Sequence, residues 1–213
     1  MENFLSSLYE KHHSMYRKED FSILKKERGD ILKKNIGINK KILDIGCRDG
    51  SLTSFFADNN KVIGVDVDGE ALKRAKSKLG IETLLFDIQS DPWPEILSSS
   101  FDVVVAGEIL EHLYYPEEIV KKISNKLISG GVFLGSVPNA FSLKNRLRYL
   151  MGTKKNTPLE DPTHINHFSY KELKNILSSY FKDVKIIGLG RYEKMSKRIT
   201  GLIAFNLFFI AKK

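Results

Sequence analysis

The spacing of apolar positions changes near residue 40. Before it, Phe21, Leu24, Arg28, Ile31 and Leu32 recur at helical spacing and Gly37 stands where a C-terminal cap belongs, so segment 1–39 reads as helical and amphipathic. Beyond it, short apolar runs alternate with helical patterns. The runs predict strands over 41–45, 62–66, 83–86, 101–106, 131–137, 184–188 and 204–211. Helices are expected over 51–59, from an N-cap at Asp68 through Leu79 to a stop at Gly80, from Pro116 to about Leu127, and over 170–180. Apolar strands separated by helices imply a parallel sheet covered on both faces. The last two runs have no helix between them and are expected to pair antiparallel. In such a sheet ligands bind at the carboxyl ends of the strands, and each motif below follows one of those ends.

The first motif is Asp44, Ile45, Gly46, Cys47, Arg48, Asp49, Gly50: a strand end, a tight turn and a helix start. Glycines there let the backbone approach a ligand closely. Asp66, closing the second strand, suits two adjacent ribose hydroxyls, and Asp87, after the third, suits an exocyclic adenine amine. A dinucleotide would need further glycines against its pyrophosphate and for helix packing, where this chain has Arg48 and Ser51. An adenosyl ligand without pyrophosphate fits the departure.

Together with Gly64-Val65-Asp66, Phe86-Asp87, the run 101–106 leading to Gly107-Glu108-Ile109-Leu110-Glu111-His112, and Gly130-Gly131-Val132-Phe133, this loop resembles the class I S-adenosylmethionine methyltransferases. The similarity is to the branch holding quinone-biosynthesis O-methyltransferases and small-molecule and glycan methyltransferases. It implies an α/β, Rossmann-like, seven-stranded and mostly parallel sheet with helices on both faces, the last strand antiparallel between the fifth and sixth. It also implies one methyltransferase domain over 1–213, with 139–168 inserted on the acceptor side. S-adenosylmethionine would be bound by Asp44, Gly46, Cys47, Arg48, Gly50, Asp66, Val67, Asp87, Ile88 and Gly107. Arg48 stands where the family usually has glycine.

On a helical turn, Glu108, Glu111 and His112 would share one side. Two carboxylates and an imidazole can hold a divalent ion, Mg, Mn or Zn, and His164 or His167 offers a further ligand. The constellation resembles the metal site of small-RNA 2′-O-methyltransferases. Without a metal, His112, His164 or His167 is a candidate base, since neutral imidazole accepts a hydroxyl proton near pH 7.

The formal charge of +8 has a location. Residues 139–157 contain Lys144, Arg146, Arg148, Lys154 and Lys155 and no acid; residues 190–200 contain Arg191, Lys194, Lys197 and Arg198 against Glu193. These two segments together carry the whole excess. Lys144, Arg146, Arg148 and Arg191 are therefore candidates for attracting an anionic acceptor. Phe141, Leu143, Leu147, Tyr149, Leu150 and Met151 accompany the first segment, which reads as an amphipathic helix that roofs the acceptor pocket or, equally, dips into a membrane surface. The single cysteine excludes an intrachain disulfide; polar residues through 1–16 argue against a signal peptide, and the longest apolar stretch, 201–211, is too short to span a bilayer. A cytoplasmic location is expected.

The function these features point to is O-methylation of a small or carrier-linked anionic acceptor. RNA 2′-O-methylation shares the acid–histidine cluster and the basic segments. A non-catalytic regulator or assembly partner with the same fold is the reading from outside catalysis.

Overall fold

The strands of the sheet form where β-branched and aliphatic residues run together, and three of the described helices begin at a residue whose side chain caps them, Asp68, Ser142 and Ser169. The structure, a computed structural model, describes residues 20–90, 92–98, 100–190 and 199–213. Seven strands form one sheet: β1 Lys41–Ile45, β2 Lys61–Asp66, β3 Glu82–Leu85, β4 Phe101–Gly107, β5 Leu127–Pro138, β6 Asp183–Leu189 and β7 Asn206–Lys212. Their order is β3-β2-β1-β4-β5-β7-β6. The Rossmann-like α/β architecture follows, with β7 between β5 and β6 and antiparallel to both. The described helices are α1 Lys25–Ile36, α2 Gly69–Leu79, α3 Pro116–Lys126, α4 Leu143–Leu150 and α5 Tyr170–Ser178. The chain clusters into two compact units, Met1–Val105 and Ala106–Lys213, with the division falling inside β4.

In the first unit, β1 and β2 pair parallel in register Asp44 with Gly64, and β2 pairs parallel with β3. Burial accounts for the apolar runs of these strands: Ile42, Leu43, Val62, Val65 and Val104 are all inaccessible or nearly so. Asp68 caps α2 by accepting from the Ala71 amide, and Gly80 ends it in the left-handed conformation, as the sequence predicts. Helix α1 is shorter than segment 1–39; its residues 1–19 lie outside the described residues.

The expected helix over 51–59 is only a 3-10 turn, Thr53–Phe55, between other turns. Side chains here compete for the hydrogen bonds a helix would use. The Thr53 hydroxyl donates to Asp44, that of Ser54 to the Ser51 carbonyl, and the Asn60 amide to the Phe56 carbonyl.

The second unit is built on β5, β7 and β6, whose inner positions Phe133, Leu134, Phe208 and Phe209 are buried. Phe133 packs edge-on against Phe209 at 4.8 Å between centroids. Helix α5 opens with a capping box: Ser169 accepts from the Glu172 amide while Glu172 accepts from that of Ser169. Among the described residues no helix is long and apolar enough to cross a membrane.

Candidate active site: a glycine loop and a carboxylate–imidazole turn

The glycine loop is held by carboxylates. Gly46, Arg48 and Gly50 have φ of 72°, 49° and 74°, so the chain turns through the left-handed region three times in five residues. That conformation costs an L-residue such as Arg48 about 1 kcal/mol or more, and the loop is fixed from outside. The Gly46 amide donates to the Val65 carbonyl, and the Arg48 amide donates to Asp66 Oδ2 at 2.8 Å. Asp66 Oδ1 accepts from the Asp68 amide at 3.0 Å. Each carboxylate oxygen of Asp66 thus takes a backbone N–H. Asp87 is similarly arranged, Oδ1 accepting from the Gln89 amide. Val67 is half-buried and Ile88 buried.

Asp44 lies beneath the loop, fully enclosed, and burial pushes its carboxyl up to about 7; the Asp66 charge adds to the rise, and the Thr53 hydroxyl and the Arg28 cation oppose it. Cys47 is also buried, its Sγ placed where a Cβ on Gly64 would stand at 2.6 Å. Gly64 is therefore needed to seat the Cys47 side chain.

Two parts of this site are not announced by any motif. Arg28, on α1, is 2% exposed; its guanidinium donates to Ser22 Oγ and the Ile23 carbonyl, and its Nε has no hydrogen-bond partner among the described residues. The second is a clamp centred on Asp20. Its amide donates to Asp49 Oδ2, its carbonyl accepts from the Ser51 hydroxyl, and Arg48 donates to the adjacent Phe21 carbonyl. The Asp20 carboxylate accepts from Lys78 at 2.7 Å and Lys25 at 2.8 Å, which hold its pKa down at about 2. The arginine that replaces the expected glycine thus ties the loop to the chain ahead of α1.

After β4, the turn in the second unit departs from the helical spacing assumed for it. Glu108 has φ of 62° and precedes the 3-10 turn Leu110–His112. Its Oε1 accepts from Ser136 at 2.7 Å and Asn206 at 2.9 Å, so it does not join Glu111 and His112. Gly107, which precedes it, is half-buried. The group that does come together is Glu111, His112 and His164, with one ligand atom of each within 4.8 Å of the others. Glu111 is 1% exposed, and its carbonyl accepts from the amides of both Ile165 and Asn166. His112 Nδ1 bonds the Thr163 carbonyl at 2.8 Å and His164 Nδ1 the Pro158 carbonyl at 2.9 Å. A carbonyl only accepts, so both Nδ1 atoms carry the proton. The Nε2 of His164 stands 3.7 Å from Asp161. His167 lies outside the cluster: burial, then the neighbouring His164, push its imidazole below the ordinary value against a hydrogen bond with the Pro158 backbone.

Of the basic candidates, Arg148 is tied to the carbonyls of Lys155 and Asn156, and Arg146 Nε to that of Phe141. Lys144, Lys154 and Lys155 are exposed. Arg191, Lys194, Lys197 and Arg198 lie outside the described residues.

Comparison with known proteins adds the following. The sequence profile of a family described as a methyltransferase domain matches residues 11–180. A malonyl-[acyl-carrier protein] O-methyltransferase from Hamiltonella defensa subsp. Acyrthosiphon pisum is 29% identical over 173 residues, covering 79% of this chain and 64% of that protein. A ubiquinone biosynthesis O-methyltransferase from Idiomarina loihiensis is 32% identical over 121 residues, covering 53% of this chain and 46% of that protein. The chain thus spans about half to two thirds of the length of these curated relatives. A solved SAM-dependent methyltransferase from Archaeoglobus fulgidus superposes with a TM-score of 0.65 at 22% identity, over 96% of this chain and 99% of that one, a likeness of fold.

Proposed function

This chain belongs to the methyltransferase-domain family, and on that premise we propose that it transfers the sulfonium methyl of S-adenosylmethionine to an oxygen of a small or carrier-linked anionic acceptor. The observation that carries the reading is the 44–50 loop fixed to Asp66, a carboxylate at the end of β2 that suits the two ribose hydroxyls. Asp87 and the buried Ile88 suit the adenine. Arg28, a buried cation with an unused Nε, suits the carboxylate of the methionyl group.

Transfer is an in-line displacement at the methyl carbon. The protein aligns the two reactants and takes the proton from the acceptor hydroxyl. The depressed basicity of His167 keeps it neutral near pH 7, which suits it to accept that proton. His112 and His164 each spend Nδ1–H on a carbonyl, and one ligand atom of each lies within 4.8 Å of the other and of a Glu111 oxygen; a set of two imidazoles and a carboxylate fits Mg, Mn or Zn. A divalent ion held there would favour ionisation of the acceptor oxygen. Glu108 has no part in this set.

Oxygen as the acceptor atom, and a carrier or quinone-like acceptor, draw support from the two O-methyltransferase relatives. The test is a methyl-radiolabelled donor supplied with cell extract, with and without chelator and ribonuclease. Label should enter a small or carrier-linked, ribonuclease-resistant fraction and fall on chelation. Label lost to ribonuclease would transfer the reading to RNA. Absence of both label and binding of S-adenosylhomocysteine would leave the non-catalytic role. Full turnover after complete metal removal would remove the metal and leave His167 acting alone.

A further inference from the structure

Helix α4 buries one face and leaves an apolar one outside. Its inner side is fixed by Asn145, whose side chain donates to the Asn139 carbonyl, and by Tyr149, whose hydroxyl donates to the Ala140 carbonyl and whose ring meets Phe141 edge-on. At 3.6 residues per turn, Leu143, Leu147 and Leu150 fall within about 60° of arc on the far side. They are 51%, 52% and 84% exposed, and Met151, which follows them, is 71% exposed. Lys144 borders this stripe on one side and Arg146 on the other, and Lys154 and Lys155 follow in the next loop.

We propose that α4 is a membrane-docking helix, lying in the headgroup layer of an anionic phospholipid surface with Leu143, Leu147 and Leu150 among the acyl chains. A stripe of leucines flanked by cations is the pattern of a helix that lies in an interface. The charge selects the occupant. Between residues 139 and 157 there are five basic residues and no acid, complementary to an anionic leaflet. RNA would find phosphate partners here, but recognition of unpaired bases relies on exposed aromatic or planar faces, and the outward residues are aliphatic. The core of a protein–protein contact is depleted in lysine and enriched in aromatic residues, the reverse of this surface.

Vesicle binding by α4 requires neither the donor nor the acceptor proposed above. Sedimentation with large vesicles of phosphatidylcholine alone, or mixed equally with phosphatidylglycerol, reads binding directly. The protein should bind the mixed vesicles, leave the neutral ones, and be released by salt at roughly 0.5 M, where the Debye length is a few ångströms. The double variant L147D/L150D should bind at least tenfold more weakly, and so should K144E/R146E. Thermal unfolding and S-adenosylhomocysteine affinity, measured alongside, should match wild type; if the double leucine variant does not fold, Leu150→Ser serves in its place. Failure of the wild type to bind mixed vesicles overturns the proposal. So does binding lost in the charge variant but kept in the leucine variant, which would be electrostatic adhesion. A wild-type dimer that L147D/L150D turns into monomer, without vesicle binding, would give the face to a second copy of the chain.

Discussion

The two candidate turns, one in each compact unit, share a backbone device and differ in what accompanies it. Each follows a strand with a non-glycine residue in the left-handed region, Arg48 after β1 and Glu108 after β4. In the first turn, acidic side chains accept from backbone amides: Asp66 from Arg48 and Asp68, Asp49 from Asp20. In the second, imidazoles donate to backbone carbonyls, at Thr163 and Pro158. The first arrangement gathers carboxylate oxygens as acceptors of backbone N–H groups. The second uses ring N–H groups as donors and so fixes the tautomer of each imidazole. A left-handed residue after a strand is thus accompanied by acceptors in one turn and by donors in the other.

If that division is real, damage to one turn should leave the other's task intact. The largest effect is expected from Glu111→Gln: transfer should slow by roughly a hundredfold or more, the scale of positioned acid–base and electrostatic groups, while S-adenosylhomocysteine affinity by calorimetry stays within about twofold. An equal loss in affinity would break the division.

Next comes the pH response beneath the first turn. Asp44 is raised by burial to about 7 from an ordinary 3.8, so the folded state holds a proton that the unfolded chain releases between those values. Stability should therefore fall as pH rises from about 4 to about 7, by about 2 kcal/mol between pH 5 and 7 for this group. Asp44→Asn should flatten that slope in urea denaturation, and an unaltered slope would show that the proton is held elsewhere.

Asp66→Ala removes a charged acceptor from ligand and loop together. S-adenosylhomocysteine should bind roughly tenfold more weakly, at ~1.4 kcal/mol per decade; undiminished affinity would misplace the ribose. The smallest effect belongs to the clamp. Asp20→Asn loses two lysine partners at an exposed carboxylate, and such pairs contribute little. A fall in donor affinity of about threefold at low salt, vanishing at high salt, would assign the clamp to loop ordering; no change would make it surface decoration.

The contrast also explains what could be read from the chain. The Asp68 cap, the Gly80 stop and the apolar strands declare themselves within a few residues, so α2 and β1 to β5 were legible in outline. Asp66 and Asp87 stand at strand ends, where position alone suggests a polar task. Grouping Glu108 with Glu111 and His112 assumed an unbroken helical turn, and the left-handed Glu108 sends its carboxylate instead to Ser136 and Asn206, 28 and 98 residues away. Arg28 looked like part of an amphipathic repeat because spacing reports which face is inward, without saying that a buried position holds a cation. The Asp20 clamp joins residues 27 to 58 apart for most of its bonds, and no local pattern marks it.

Cys47 is the chain's single thiol. Burial, followed by the charges of Asp44 and Asp66, drives its pKa well above that of a free cysteine, so the reactive thiolate is suppressed twice over, by access and by ionisation. Because its sulfur rests in the space that Gly64 leaves, a thiol reagent should react slowly with the folded chain. The rate at which one equivalent of a disulfide dye is consumed should then report how readily the packing around Gly64 opens, and a ligand bound at the glycine loop should slow it.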